Sequence, residues 1–243
     1  MSGRVSVAGT TASKTATQVD ASTSIKVADR FEDPGYVSRG GYKLAGALAV
    51  FCESGLSVAG RRCLDAGAST GGFTDVLLRA GAASVVAVDV GYGLLAWRLR
   101  TDDRVTVVDR TNVRTLSAAD LPPGPPPSLV VADLSFISLR LVLPALHSAA
   151  AAHADHLLMV KPQFEVGREL LGAGGVVREP GLRAESVRAV AAAAAGLGLG
   201  VRGITASPLP GPSGNVEYFL WLQEGAPPLD LAQLDRAIAQ GPQ

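Results

Sequence analysis

The stretch Asp65-Ala-Gly-Ala-Ser-Thr-Gly-Gly-Phe-Thr-Asp75 decides the fold of this chain. It stands between an apolar run, Cys63–Ala66, and a helical pattern that begins at Phe73. Glycines at 67, 71 and 72, directly after a strand, predict a turn whose backbone approaches a ligand closely, because no Cβ stands in the way. The next apolar run, Ser84-Val-Val-Ala-Val-Asp89, ends in an acid 18 residues after Gly71. In doubly wound folds an acid about 20 residues beyond the glycines bonds a ribose hydroxyl. The pairing predicts a nucleoside-bearing cofactor held by Gly67, Ser69, Thr70, Gly71, Gly72, Phe73 and Asp89. No Gly-Lys-Ser/Thr follows the glycines, which argues against a phosphate-binding loop.

Outward from this turn, strands and helices alternate. Strands are expected at Cys63–Ala66, Val85–Val90, Val105–Asp109, Leu129–Asp133 and Leu157–Lys161, with helices at Phe73–Arg79, at Leu94–Arg100 and from Asp133 through about His147. The strands are near-continuous apolar runs, as a parallel sheet covered on both faces requires. The prolines at 122, 123, 125, 126 and 127 predict a stiff loop. A glycine-rich loop over residues 165–180, expected to move, precedes a helix from about Leu182 to Ala195. Strands Arg202–Ala206 and Val216–Leu222 are then joined by Ser207-Pro-Leu-Pro-Gly-Pro-Ser-Gly-Asn215, which is too short for a crossover helix. Such neighbours pair antiparallel. A Rossmann-like α/β sheet of seven strands, mostly parallel with an antiparallel last strand, is the pattern of class I methyltransferases. Upstream, Ser38 is placed to cap a helix whose apolar positions are 44, 47, 48 and 51. Residues 1–37 carry no long helical pattern, only β-like pieces at Arg4–Val7 and Thr23–Val27.

The chain of 243 residues is long enough for one full core and a small appendage, and its 47% hydrophobic and 18% charged composition is globular. Net charge is zero, so a nucleic-acid partner would be held by local patches. The N-terminus lacks the apolar core of a signal peptide, and no apolar run reaches the roughly 18 residues of a membrane span. Cys52 and Cys63 offer neither a disulfide framework nor metal spacing, and both are expected as small core residues. A cytoplasmic protein without a resident metal is the expectation. Of 22 basic residues only four are lysines: Lys14, Lys26, Lys43 and Lys161. A genome-wide bias toward arginine is one explanation. Another is that a lysine kept in a tight motif does what arginine will not, namely lose its proton.

Three further motifs place charge at one sheet edge. Val131-Ala-Asp133-Leu-Ser-Phe-Ile-Ser-Leu139 puts an acid at the end of the fourth strand, where open α/β sheets hold ligands. Val160-Lys161-Pro-Gln-Phe-Glu165 ends the fifth strand in a lysine, before a proline that stops the ladder. Gly214-Asn-Val-Glu217-Tyr-Phe starts the antiparallel strand with an acid, so Glu217 arrives at that same edge. Lys43, on the preceding helix, reaches it from above. Two lysines and two acids suit activation of a ribose hydroxyl. A free lysine, with a pKa of about 10.4, is a poor base at neutral pH, and burial beside a second ammonium lowers it toward roughly 7–8. Taken singly, each residue also reads as a strand-end ion pair. Asp65 would be unfavourable beside a pyrophosphate but suits the cationic end of S-adenosylmethionine, and Asp109, ending the third strand, is placed for an adenine edge or simply for a turn.

The strings SRGGYKL, DAGASTGGFTD, VDVGYG, VVADLSFISL, VKPQFEVG and SPLPGPSGNVEYFLWL together resemble the TlyA family of ribosomal RNA 2'-O-methyltransferases, historically called haemolysins, over roughly residues 3–223. That family is related to the FtsJ-like RNA methyltransferases, which use a Lys-Asp-Lys-Glu tetrad. The resemblance implies a tetrad of Lys43, Asp133, Lys161 and Glu217, S-adenosyl-L-methionine as cofactor, and cytidine ribose in small- or large-subunit rRNA as substrate. It also implies that residues 1–33 are the remnant of an N-terminal RNA-binding module like that of ribosomal protein S-four, with its helices absent. Pro34–Val37 would be a linker and 38–243 the methyltransferase domain. Arg39, Arg98, Arg100, Arg168 and Arg178 are candidates for phosphate contacts. Competing readings are a membrane-lysing haemolysin, a relative that binds without turnover, and a methyltransferase of a small molecule.

Overall fold

A computed structural model describes residues 5–7, 10–11, 19–20, 23–27 and 34–242. Contacts divide the chain after Gly35. In the N-terminal unit, β1 (Val5–Val7) pairs antiparallel with β2 (Thr10–Thr11) and with β3 (Ile25–Val27), in the order β2-β1-β3. Both expected β-like pieces are present there; Arg4 and the side chains of Lys14 and Lys26 lie outside the described residues.

The second unit holds a seven-stranded sheet: β4 (Arg62–Ala66), β5 (Ser84–Val88), β6 (Val105–Val108), β7 (Leu129–Ala132), β8 (Asp155–Val160), β9 (Leu199–Ala206) and β10 (Tyr218–Glu224). Their order is β6-β5-β4-β7-β8-β10-β9, and β10 is antiparallel to both neighbours. The first five strands are parallel. Residues alternate between two cores: Val130 and Ala132 of β7 face one, Leu129 and Val131 the other. Both faces are therefore apolar, and all four residues are fully buried.

Helices α1 (Arg39–Glu53), α2 (Gly72–Arg79) and α3 (Trp97–Arg100) supply one face. On the other lie α4 (Leu139–Ala149), α6 (Pro180–Ala195) and α7 (Leu231–Gln240). The short α5 (Pro162–Glu165) follows β8. Ser38 stands at the N-cap of α1, but its hydroxyl makes no capping bond. Tyr36 and Val37, expected in the linker, pack with the larger unit: the Val37 N–H donates to Asp75 at 3.0 Å, and the Tyr36 ring meets Tyr42 edge-on.

Several boundaries shift for local reasons. The run at Val85–Val90 stops as strand at Val88, because the Asp89 carboxylate accepts from the Gly91 N–H at 2.7 Å and turns the chain. The helix expected from Leu94 begins at Trp97, because Ala96 holds extended backbone (ψ 138°). The last strand starts at Tyr218, so Glu217 sits just before it. The sequence reading missed α7, although Asp230 caps it through Ala232 N and Gln233 N and Leu234, Ala237 and Ile238 recur at helical spacing. Cys63 is buried as expected, and burial pushes its thiol up to about 12. Cys52 corrects the expectation: it is exposed on the outer side of α1.

Candidate active site

The C-terminal ends of β4, β5, β7 and β8 and the start of β10 form one edge, and the glycine turn crosses it. Gly67 has φ +84°, and a Cβ there would lie 2.9 Å from the Asp133 carbonyl oxygen, so only glycine lets the two strand ends meet. Gly71, at φ +98°, would drive a Cβ into Leu99. Between them Ser69 is also left-handed, at φ 49°, and its N–H donates to Asp89 Oδ2 at 2.8 Å. The turn is thus clamped to the end of β5 by the acid that the spacing singled out.

Two cavities open on this edge. One, about 300 Å³, is lined by Lys43, Asp133 and Lys161, by Gly67, Ser69, Thr70, Gly72 and Phe73 of the turn, and by Ser135. The other, about 430 Å³, is lined by Asp89, Asn112 and apolar Leu94, Val113, Ile137 and Val142. Gly67, Ser69, Asp133 and Ser135 line both, so the cavities share a wall.

The four expected catalytic residues stand as two ion pairs. Lys161 Nζ lies 2.6 Å from Asp133 Oδ1 and donates to Ser135 Oγ at 3.0 Å. Lys43 Nζ lies 2.5 Å from Glu217 Oε2, with side chains only 8% and 0% exposed. Glu217 does not reach the cavity; it stands behind Lys43, and its Oε1 has no hydrogen-bond partner. Gly211 passes so near that a Cβ there would lie 2.7 Å from that oxygen. Each ammonium thus has its own carboxylate, and both lysines line the same cavity.

Three of the cofactor candidates line neither cavity. Asp109 lines neither cavity: its carboxylate pairs with Arg100 at 2.8 Å and accepts from the Gly93 N–H. These contacts hold it below the usual carboxylate range, against a desolvation that pushes upward. Asn112 and Val113, three and four residues on, take the cavity wall instead. Asp65 is fully buried beneath the turn, outside both linings, with Oδ2 accepting from Thr74 Oγ1 at 2.7 Å and Oδ1 unpartnered. Gly71 likewise shapes the turn from behind without lining a cavity.

Of the candidate arginines, Arg39 borders the first cavity and donates to the Pro210 carbonyl. Arg98 is paired with Asp75 at 2.7 Å and Arg100 with Asp109, so both serve the fold. Arg178 is exposed, and the side chain of Arg168 lies outside the described residues. The 165–180 stretch contains short helical turns, and Asn215 ties it down through the Val177 N–H at 2.9 Å and the Gly175 carbonyl at 3.0 Å.

Burial pushes the Asp65 carboxyl from 3.8 up to about 7, with Asp133 and Asp89 adding and Thr74 opposing. The folded state therefore holds an extra proton between those values, and Asp65 costs stability progressively as pH rises through that window. His156 works in the opposite sense. Burial, with the His147 ring adding, lowers it from 6.5 to about 4, so the unfolded chain binds the extra proton and stability falls on acidification across that interval. Relative to wild type, Asp65→Asn gains stability on going from pH 4 to pH 7, on the order of 4 kcal/mol. Urea midpoints of the ligand-free proteins at the two pH values measure this; parallel curves would remove the assigned burial penalty.

A family model for FtsJ-like methyltransferases matches residues 36–224. The 16S/23S rRNA (cytidine-2'-O)-methyltransferase TlyA of Mycobacterium tuberculosis is 56% identical over 237 residues, covering 98% of this chain and 83% of the relative. Hemolysin A of Brachyspira hyodysenteriae is 35% identical over 219 residues, covering 90% and 88%. A solved structure of a Streptococcus thermophilus protein that carries the hemolysin label superposes with a TM-score of 0.83 at 41% identity, covering 99% of this chain and 86% of that one. Among the described residues no helix is long and apolar enough to cross a membrane.

Proposed function

Because this chain belongs to the FtsJ-like methyltransferase family, we propose that it transfers a methyl group from S-adenosylmethionine to a ribose 2'-hydroxyl of ribosomal RNA, on cytidine in the small or large subunit, in the cytoplasm. The observation that carries this reading is Asp133, which borders both cavities and holds Lys161 in the wall of the first.

The cavities suit the cofactor chemically. Asp89 offers a carboxylate to vicinal ribose hydroxyls, and Leu94, Val113, Ile137 and Val142 offer an apolar slot for a purine. The missing Cβ at Gly67 lets the turn pack directly against the Asp133 backbone, which sets the shared wall. When bound, the cofactor supplies an electrophilic methyl whose bond pair returns to sulfur as the new oxygen–carbon bond forms. Lys161 in its neutral form takes the hydroxyl proton on Nζ, and Asp133 fixes that amine and stabilises the ammonium that results. Lys43, held by Glu217, presents a cation to the oxygen as negative charge develops there. Much of the rate comes from alignment of oxygen, methyl and base. Arg39 at the cavity rim is placed for a backbone phosphate. Residues 1–35 are read as belonging to an RNA-binding module and 36–243 as the transferase.

Incubation of the protein with ribosomal subunits and tritiated cofactor, followed by mapping of ribose methylation, tests the assignment. Label in the ribose of rRNA is the expected outcome. Label confined to metabolites of a cell extract would replace the substrate, and dye leakage from liposomes without methyl transfer would replace the activity.

A further inference from the structure

We propose that Ser135 is a positioning residue for this reaction: its hydroxyl, together with Asp133, aims the lone pair of Lys161 into the cavity. The inference rests on the methyl-transfer reading above and adds a residue to it. A neutral amine has two N–H bonds and one lone pair, set tetrahedrally about nitrogen. Asp133 Oδ1, 2.6 Å from Nζ, holds the amine as an ion-pair partner but is out of line for a hydrogen bond, whereas Ser135 Oγ, 3.0 Å away, accepts an N–H and so supplies the directional contact. Both groups are on the segment that leaves β7, two residues apart, so their separation is set by one short stretch of backbone. The remaining direction at Nζ is left for the cavity that Lys43, Phe73 and Lys161 itself help to line. The side chain of Lys161 is only 9% exposed, so bulk water is a poor substitute for a lost acceptor.

With Asp133 alone, rotation about the Cε–Nζ bond would turn an N–H toward the ribose oxygen as readily as the lone pair. Ser135 removes that freedom. After the proton arrives, Ser135 still holds one ammonium N–H, Asp133 balances the charge, and another N–H points at the oxygen it came from. Ser135 needs no charge for this, and it neither gives nor takes the transferred proton.

The test uses the full chain, ribosomal subunits and tritiated S-adenosylmethionine. Ser135→Ala is expected to lower kcat about tenfold while KM and the calorimetric Kd for the cofactor stay within about twofold. Ser135→Thr, which keeps the hydroxyl, is expected to recover most of the rate. Because Ser135 acts through Lys161, adding Ser135→Ala to Lys161→Ala is expected to cost nothing more. Full activity of Ser135→Ala, or a loss that lies wholly in cofactor Kd, overturns the positioning role. So does a Ser135→Thr variant as slow as Ser135→Ala, or a double variant slower than Lys161→Ala. These outcomes differ from failure of the underlying reading, in which the wild-type protein itself leaves rRNA unlabelled and the Ser135 role falls with it.

Discussion

Lys161→Ala lowers the single-turnover rate of methyl transfer by about 10³-fold, within the 10²–10⁴ range of a positioned general base, and leaves cofactor affinity nearly unchanged. The geometry separates the two effects. Lys161 borders the cavity that also contains Lys43, whereas the cavity suited to adenosine is lined by Asp89, Asn112 and Val113 and lacks it. Removing the ammonium also frees the Asp133 carboxylate, which attracts a sulfonium rather than repelling it. Lys161→Arg is the sharper variant. It keeps a cation opposite Asp133, but a guanidinium does not release its proton, so it is expected to be as slow as the alanine variant. If the arginine variant turned over at a substantial fraction of the wild-type rate, Lys161 would act as a fixed charge and the proton would leave by another route.

The parts of this site that could be read from sequence were those fixed by strand direction. Asp133 and Lys161 follow parallel strands, Glu217 precedes an antiparallel one, and all three must then arrive at one edge. The glycines at 67 and 71 were legible because a left-handed turn at the end of a strand admits few other residues. What could not be read depends on how loops fold back. Asp109 ends a strand much as Asp89 does, yet Arg100, nine residues earlier, turns to pair with it, and the cavity wall passes to Asn112. Arg98 and Arg100 looked like free cations because their partners, Asp75 and Asp109, are distant in sequence or on another element. Ser135 lay inside a quoted motif, two residues past the strand-end acid, but a serine gives no charge pattern to notice. Convergence at the edge was likewise legible while its pairing was not: alternation along strands says which face a residue takes, and only side-chain packing says that Lys43 belongs to Glu217.

That last pair allows stability and catalysis to be pulled apart. Glu217→Ala is expected to destabilise the fold by about 3–5 kcal/mol, because it leaves the buried Lys43 ammonium without its carboxylate. Replacing both partners removes the unpaired charge as well as the pair. Lys43→Met with Glu217→Leu keeps roughly the same volume between α1 and the start of β10, and it deletes a carboxylate oxygen that already lacks a hydrogen-bond partner. The double variant is therefore expected to return to within about 1–2 kcal/mol of wild type or to exceed it, while methyl transfer stays lost. Urea unfolding of the three proteins measures the first part and single-turnover labelling the second. A Glu217→Ala protein within about 1 kcal/mol of wild type would mean that Lys43 reaches water once released, since a hydrated ammonium carries no such penalty. A double variant that still methylated rRNA would place the developing charge out of reach of Lys43. Stability regained without activity has one physical reading: an apolar pair serves the fold as well as the ion pair does, and the two charges are there because the reaction at the neighbouring cavity requires a fixed cation.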